Sequence, residues 1–156
     1  MIKTNVIRLL ESAGITPNIR TAGTGDEFTD AVRMALDIGV EPERLFKTLV
    51  AETPEHEYFV FVIPAPASLH LKKAARAAGV KKIDLIPLKQ LLPLTGYIHG
   101  GCSPIGMKKQ FPTFLDETAI LYDEIVVSGG RIGLSVGMAP ETLAGYLSAE
   151  FADLTD

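Results

Sequence analysis

The sequence predicts an α+β fold in a single domain that spans residues 1–156. Two observations carry this prediction: apolar residues recur at helical spacing in several short segments, and pairs of apolar strands separated by turn residues predict β-hairpins. These segments do not follow the regular strand–helix–strand order of a parallel sheet. With 156 residues, of which 47% are hydrophobic and 22% charged, the chain can bury a substantial core.

Helical spacing predicts two helices in the N-terminal quarter of the chain. The first begins after Thr4, a residue type favoured at the N-cap, and ends at Gly14. Its apolar face consists of Val6, Leu9, Leu10 and Ala13. The second helix is predicted over 28–38 and ends before Gly39.

The central part of the chain predicts a β-hairpin followed by shorter elements. Strands over 44–52 and 57–65 are separated by the turn-like segment 53–56. The second strand is apolar on both faces, which is typical of a central strand. Helices are then predicted over 68–78 and 88–92, with a short strand over 83–87 between them.

The C-terminal third predicts a second hairpin and a last helix. Residues 123–137 form two alternating runs around Gly129-Gly130, which is a typical two-residue turn. Small residues line one strand face, either to leave room for a ligand or to admit a tightly packed helix; they are Gly133, Ser135 and Gly137. The last helix is predicted from Pro140 to Glu150.

Composition excludes several classes of protein. The single cysteine excludes a disulfide framework and indicates a reducing, cytoplasmic compartment. The three histidines and this cysteine lack the paired spacing of a structural zinc site, so no metal is predicted. The longest apolar run, 58–67, contains two prolines and is too short to cross a bilayer. The N-terminus lacks the apolar stretch of a signal peptide.

Charge is distributed unevenly along the chain. The net charge is −4, yet the segment 64–110 carries +7 and the remainder −11. Such polarity indicates either a basic face that binds phosphates or the solvated surfaces of ordinary helices.

Lys47 is the most informative single residue. In a strand it shares a face with Leu45, Leu49 and Ala51. An ammonium among apolar neighbours either extends to water or projects into a pocket, where it can hold a phosphate or stabilise an oxyanion.

The loop 96–111 contains paired glycines and the only cysteine. Gly100 and Gly101 allow close approach to a ligand, and successive N–H groups there can bind an anion. Cys102 follows His99 by three residues, but nothing in the sequence pairs the two or adds an orienting carboxylate. We therefore interpret Cys102 as a packed residue, with a thiol nucleophile as the alternative.

Four segments in order resemble one family. These are FKTLV (46–50), LKKAARAAGVKKI (71–83), TGYIHGGCSPIGMKK (95–109) and VSGGRIGL (127–134). They resemble the YbaK-type proteins, which are bacterial Cys-tRNA(Pro) deacylases similar to the editing insertion domain of prolyl-tRNA synthetases. The resemblance implies one compact deacylase domain with a mixed, mostly antiparallel, barrel-like sheet and surrounding helices. It also implies no metal or organic cofactor.

The resemblance also assigns roles to particular residues. Lys47 is implied to be the essential lysine, with Gly100 and Gly101 beside the scissile carbonyl. The expected substrate pocket residues are Thr48, Ser128, Gly133 and Ser135. The expected tRNA contacts are Lys72, Lys73, Lys81, Lys82, Lys108 and Lys109. The substrate's own cysteine thiol is implied to attack the ester, which removes the need for a protein nucleophile.

Substrate choice stays open at the level of sequence. The family often has aspartate where this chain has Ser135, and tyrosine near Ala22. Alternative functions are deacylation of another residue such as alanine, with water as the nucleophile, a non-catalytic module that binds charged tRNA or a synthetase, and a small-molecule binding domain. Because backbone contacts do not read sequence, a partner such as prolyl-tRNA synthetase is expected to help select the tRNA.

Overall fold

The computed structural model describes residues 3–22 and 30–156. Within these ranges the helices are α1 (Asn5–Ser12), α2 (Ala31–Asp37), α3 (Leu71–Ala78), α4 (Leu91–Thr95) and α5 (Pro140–Leu147). The strands are β1 (Asn18–Thr21), β2 (Phe46–Glu52), β3 (Tyr58–Pro64), β4 (Asp84–Leu85), β5 (Thr113–Asp116), β6 (Ile125–Arg131), β7 (Leu134–Met138) and β8 (Glu150–Ala152). Short 3₁₀ turns occupy Pro42–Arg44, Leu88–Gln90 and Glu117–Leu121.

The strands form two open sheets. One has three antiparallel strands in the order β1-β7-β6, and the other has five strands in the order β4-β2-β3-β5-β8. In the larger sheet β2 pairs antiparallel with β3 and β4, whereas β5 pairs parallel with β3 and β8. A bridge between Leu45 and Val126 joins the two sheets. The α+β class and the mixed, mostly antiparallel pairing are confirmed, but the sheets do not close into a barrel.

The predicted central hairpin is confirmed. Phe46 pairs with Pro64 at one end of β2–β3, and Glu52 pairs with Tyr58 at the other. The two faces of β3 are buried in different clusters. Val60 packs between the sheets, whereas Phe61 packs under α3. Because both faces are covered, this strand is apolar throughout, as the sequence predicted.

The first helix is confirmed as well. The hydroxyl of Thr4 accepts a hydrogen bond from the N–H of Ile7, which satisfies one free donor of the first turn of α1. The same hydroxyl donates to the carbonyl of Gly129 at 2.7 Å, so this cap also attaches α1 to β6. The buried face of α1 contributes Val6 and Leu10 to the core between the sheets.

The second hairpin turns at a different place from the prediction. The turn lies at Ile132 and Gly133, and Gly129-Gly130 forms an irregularity inside β6, between the register pairs Ser128–Ser135 and Arg131–Leu134. The predicted turn at Gly129-Gly130 is therefore wrong. Both glycines are needed for packing, because a Cβ on Gly129 would lie 2.9 Å from Leu134 Cγ, and one on Gly130 would lie 3.0 Å from Val6 Cγ2.

Three predicted helix boundaries also differ. Helix α3 begins at Leu71 rather than 68, because the ring of His70 caps it by accepting from the N–H of Lys73. Helix α5 ends at Leu147 rather than Glu150, which instead begins β8 beside β5. Helix α2 begins at Ala31, and the predicted start at residue 28 lies outside the described residues. No helix in the described part of the chain is long and apolar enough to cross a membrane.

Candidate active site

A cavity of about 410 Å³ opens where the two sheets approach each other. Its walls come from α2, the first half of β2, the segment after β3, α4, the loop after α4 and the β6–β7 hairpin. Strand β4 pairs with β2 only at Ala51 and Glu52, which leaves the edge of residues 46–49 without a partner in that strand. Side chains from both faces of β2 can therefore reach the cavity along this edge.

The cavity brings together most of the residues predicted for the site. Six of the seven residues predicted for catalysis or substrate contact line it, although they come from three distant parts of the chain. They are Lys47, Thr48, Gly100, Ser128, Gly133 and Ser135. Gly101 is the exception. The apolar part of the wall comes from Met34, Phe46, Leu91 and Leu134, among others.

Lys47 is half-buried and projects toward the segment that follows β3. Its Nζ donates a hydrogen bond to the carbonyl of Ala65 at 3.0 Å. Burial lowers the pKa of Lys47 from its ordinary value of 10.5, and the negative charge of Asp30 partly opposes this effect. The amine is thus incompletely solvated and has one neutral protein acceptor. A negatively charged ligand in the cavity would favour its ammonium form.

Thr48 presents a polar atom that lacks a protein partner. Its Oγ1 is buried and makes no hydrogen bond within the described residues. A buried hydroxyl without a partner costs about 1–3 kcal/mol, so such groups are often explained by a ligand. Ser128 and Ser135 lie opposite each other across β6 and β7, and both also line the cavity. The wall therefore contains the hydroxyls of Thr48, Ser128 and Ser135.

The two glycines of the predicted carbonyl cradle lie in different surroundings. Gly100 lines the cavity with a positive φ of 88°, which only glycine adopts without strain. Gly101 instead packs against the β6–β7 turn, where an added Cβ would lie 3.2 Å from the backbone of Arg131. Its N–H already donates to the carbonyl of Ile98 at 3.0 Å. Gly101 therefore packs against the hairpin, whereas Gly100 lines the cavity.

Cys102 lies at the cavity wall but is unsuited to act as a nucleophile. Burial raises the pKa of its thiol to about 12, and a hydrogen bond with the Thr95 side chain opposes this only partly. Only the thiolate attacks effectively, so a thiol with this pKa is almost wholly protonated at neutral pH. Cys102 belongs to the core between the sheets. This supports our interpretation of Cys102 as a packed residue.

The six lysines predicted to contact tRNA lie outside the cavity and differ in their local partners. Lys73 is tied to the C-terminal segment through Asp153 at 3.1 Å and the carbonyl of Thr155. Lys82 lies 4.0 Å from Asp84, and Lys109 stands over the ring of Phe111. Lys108 extends along the end of α4, where its Nζ approaches the carbonyl of Pro93 at 3.4 Å. Lys72 and Lys81 are exposed.

Two further residues lie in or beside the cavity wall. Asp30 lines the cavity, whereas the sequence predicted it inside a helix that started two residues earlier. The signal that identifies it is an aspartate directly before an apolar helical pattern, which is typical of an N-cap. Ala22, where the family often has tyrosine, donates its N–H to the carbonyl of Gly133 at 2.8 Å. It therefore lies next to a cavity residue.

No cluster of metal-ligating side chains occurs within residues 3–22 and 30–156.

The fold and the cavity define an α+β domain with one lysine and a glycine loop at the wall of its cavity. Residues 26–146 match the model of the aminoacyl-tRNA editing domain. The chain belongs to this family.

Individual relatives agree with this assignment. The chain is 42% identical over 153 residues to EbsC of Enterococcus faecalis, a candidate Cys-tRNA(Pro)/Cys-tRNA(Cys) deacylase, and the match covers 98% of this chain and 93% of that protein. It is 24% identical to part of a proline–tRNA ligase of Brachyspira hyodysenteriae, with 74% of this chain matching 18% of the ligase. A solved structure of a candidate trans-editing enzyme for prolyl-tRNA synthetase superposes with a TM-score of 0.83 at 25% identity, covering 98% of both chains.

Proposed function

We propose that this protein removes cysteine from mischarged Cys-tRNA(Pro) as a trans-acting editing deacylase in the cytoplasm. The observation that carries the proposal is that Lys47 and Gly100 line one cavity in a domain of the aminoacyl-tRNA editing family. The 42% identity to EbsC supports cysteine as the amino acid. The cavity is large enough for the terminal adenosine or the aminoacyl group, but does not identify the tRNA.

The chemistry we propose uses the thiol of the substrate. Its sulfur attacks the carbonyl carbon of the ester, the bond from that carbon to the ribose 3′ oxygen breaks, and the thiol proton passes to the leaving oxygen. The products are tRNA with a free 3′ hydroxyl and a cyclic thiolactone of cysteine. The protonated state of Cys102 supports this route, because the protein's own thiol is a poor nucleophile.

The protein's part in this reaction is to position and to stabilise charge. In this proposal Lys47 holds the terminal phosphate or stabilises the developing oxyanion. Because its ammonium is incompletely solvated, this electrostatic interaction is stronger than it would be in water. Gly100 lets the backbone approach the carbonyl closely. The hydroxyl of Thr48, which has no partner among the described residues, is available to the substrate.

A panel of charged tRNAs tests the function. We expect Cys-tRNA(Pro) to be deacylated much faster than Ser-tRNA(Pro), because serine has the same shape with a weaker nucleophile. Ala-tRNA(Pro), Pro-tRNA(Pro) and Cys-tRNA(Cys) complete the panel. Rapid hydrolysis of Ala-tRNA(Pro) would instead establish water as the nucleophile and alanine as the target. Binding of charged tRNA without turnover would establish a non-catalytic module.

Replacement of Lys47 tests the assigned site. We expect Lys47→Ala to lower kcat/KM for Cys-tRNA(Pro) by about 100-fold or more, which is typical of losing one oxyanion-stabilising group. Lys3→Ala is the matched control, since Lys3 is an exposed lysine just before α1 that pairs with Glu11. Normal turnover by a folded Lys47→Ala protein would contradict the assignment.

We further propose prolyl-tRNA synthetase as the partner that supplies the mischarged tRNA. The partial match to a proline–tRNA ligase and the likeness to a trans-editing structure support this. Addition of the synthetase is expected to increase the selectivity for tRNA(Pro) over tRNA(Cys) in the deacylation assay. Unchanged selectivity would mean that the synthetase does not select the tRNA.

A further inference from the structure

The cavity contains two charged groups of opposite sign. Among the described residues that line it, Lys47 carries the ammonium and Asp30 the carboxylate. The other polar side chains of the wall are hydroxyls, an imidazole and a thiol. Both side chains line this one cavity, and the negative charge of Asp30 raises the pKa of Lys47 against the larger effect of burial. They nevertheless do not form an ion pair, because the Lys47 amine donates to Ala65 instead.

Asp30 has capacity left for a ligand. Its Oδ1 accepts a hydrogen bond from the N–H of Arg33 at 2.8 Å, which caps α2. Its Oδ2 has no hydrogen-bond or ion-pair partner among the described residues, and a carboxylate can accept several hydrogen bonds. Asp30 is exposed to solvent and also lines the cavity, so a ligand can reach its carboxylate. The cap therefore fixes the orientation of the carboxyl group through Oδ1, while Oδ2 can still accept a hydrogen bond from a ligand.

The end of an aminoacyl-tRNA carries matching charges. Its phosphates are negative, and the α-amino group next to the ester is positively charged when it is free. A carboxylate and an ammonium that share one small cavity can bind these two groups at the same time. A peptidyl- or otherwise N-acylated tRNA has the same ester and the same phosphates but lacks the positive charge.

We propose that Asp30 binds the free α-ammonium of the aminoacyl group and thereby restricts this site to aminoacyl esters, excluding N-acylated ones. This inference rests on the proposed function and adds the substrate class. It assigns Asp30 a role in specificity, with Lys47 facing the phosphate or the carbonyl. The alternative is that Asp30 serves only as the N-cap of α2.

The substitution Asp30→Asn separates these two roles. Asparagine caps a helix about as well as aspartate, so the thermal unfolding midpoint should stay within about 2 °C of wild type. Asparagine has no negative charge for the ammonium. The wild type should cleave Cys-tRNA(Pro) at least about 10-fold faster than N-acetyl-Cys-tRNA(Pro), and the variant should lose most of this preference by slowing on the free-amine substrate alone.

Asp37→Asn is the matched control. Asp37 is an acid at the other end of α2, paired with Arg33 at 3.2 Å, and it does not line the cavity. This variant should keep the wild-type preference. If Asp30→Asn keeps that preference too, or slows both substrates equally, the proposal is overturned and Asp30 is a cap only.

A binding measurement separates this proposal from the proposed function. The probe is 3′-deoxy-3′-(L-cysteinylamino)adenosine, whose amide bond is not cleaved, together with its N-acetyl derivative. Calorimetry should show tighter binding of the free-amine probe to wild type, with the difference largely lost in Asp30→Asn. If this holds while the tRNAs are not deacylated, the function is wrong and the amine site is correct. Equal binding of both probes to wild type overturns the amine site.

Discussion

At the scale of single residues, Thr48 shows how a buried polar atom can mark a site. Its hydroxyl is buried without a partner among the described residues, which is unfavourable for folding, and the residue lines the cavity. A sequence optimised for stability alone would place valine here, since valine has the same shape and favours strands. We therefore interpret the hydroxyl as a ligand contact.

The substitution Thr48→Val tests this interpretation. We expect the variant to be equally stable or more stable by about 1 kcal/mol, because an unpaired buried hydroxyl is removed. We expect kcat/KM for Cys-tRNA(Pro) to fall by about 10-fold through loss of one hydrogen bond to the substrate. Chemical denaturation and deacylation assays measure the two effects. A fall in stability with unchanged activity would show that the hydroxyl has a structural role.

Cys102 shows the reverse case, in which a reactive residue type is structural. Since burial raises the pKa of its thiol to about 12, alkylation by iodoacetamide at pH 8 should be far slower than for an exposed cysteine. Cys102→Ala should leave deacylation near wild type and lower stability by about 1 kcal/mol through a small cavity. A large loss of activity in a folded Cys102→Ala protein would restore the thiol as nucleophile.

At the scale of elements, Glu124 connects three parts of the chain near the base of the smaller sheet. Its carboxylate accepts hydrogen bonds from Asn18 and, at 2.9 Å, from Arg20 of β1. Its backbone carbonyl accepts two hydrogen bonds from Arg44 at 3.1 Å. The carboxylate also covers Gly137, where a Cβ would lie 2.8 Å from it. On the strand face of β7 that carries only glycine and serine, Glu124 therefore covers Gly137, whereas Ser135 lines the cavity.

The stability of this connection should depend on pH. Burial on its own raises the pKa of Glu124, but the hydrogen bonds from Asn18 and Arg20 and the charges of Arg20 and Arg44 outweigh it, so the pKa lies below its ordinary value of 4.5. Folding therefore favours the ionised form. The stabilisation is complete above the unfolded-state pKa and is lost as the pH falls through the folded-state pKa.

We expect Glu124→Gln to unfold about 1–2 kcal/mol more easily at neutral pH, with a melting temperature about 3–6 °C lower. The difference from wild type should shrink as the pH falls through the folded-state pKa of Glu124, which lies below 4.5, because the wild-type carboxylate then also becomes protonated. Thermal denaturation across pH measures it. Asp123→Asn, at the exposed neighbouring acid, should show no such difference. If the loss of stability in Glu124→Gln is the same at every pH, it arises from altered packing and not from the lost charge.

At the scale of the whole molecule, the opposed charges of the two parts of the chain should govern binding of tRNA. The segment 64–110 carries +7 within a chain of net charge −4. Its lysines are not equivalent in the folded protein. Lys73 is engaged with the C-terminal segment, whereas Lys108 lies at the end of α4, the helix that contributes Leu91 to the cavity wall.

Affinity for tRNA should therefore fall as salt increases, through release of counterions from the phosphates. Replacing Lys108 and Lys109 together by glutamine should weaken binding and reduce the slope of log affinity against log salt by about 1 for each phosphate that the protein no longer neutralises. Lys73→Gln should have a smaller effect, and Lys3→Gln none. Filter binding over a range of salt concentrations measures these slopes. Salt-independent binding would exclude the basic segment as the surface that binds tRNA.

Local features made much of the fold predictable. The Thr4 cap, the apolar strand at 58–64 and the glycine after α2 depend on interactions within a few residues, so the sequence identifies them. The position of the second hairpin turn was not predictable in this way. The glycine pair has the composition of a turn, but α1 and β7 pack against it and move the turn three residues along the chain.

The sequence by itself determined the α+β class and the central hairpin, and it predicted Lys47 as the cation of the candidate site. Only the tertiary structure decided that Asp30 shares the cavity with Lys47, that Gly101 packs on the hairpin while Gly100 faces the cavity, and that Cys102 is buried. The physical reason is the distance along the chain over which each kind of interaction acts. Propensity and periodicity act between near neighbours in the chain, whereas desolvation, electrostatic interaction and close packing depend on residues that only the folded chain brings together.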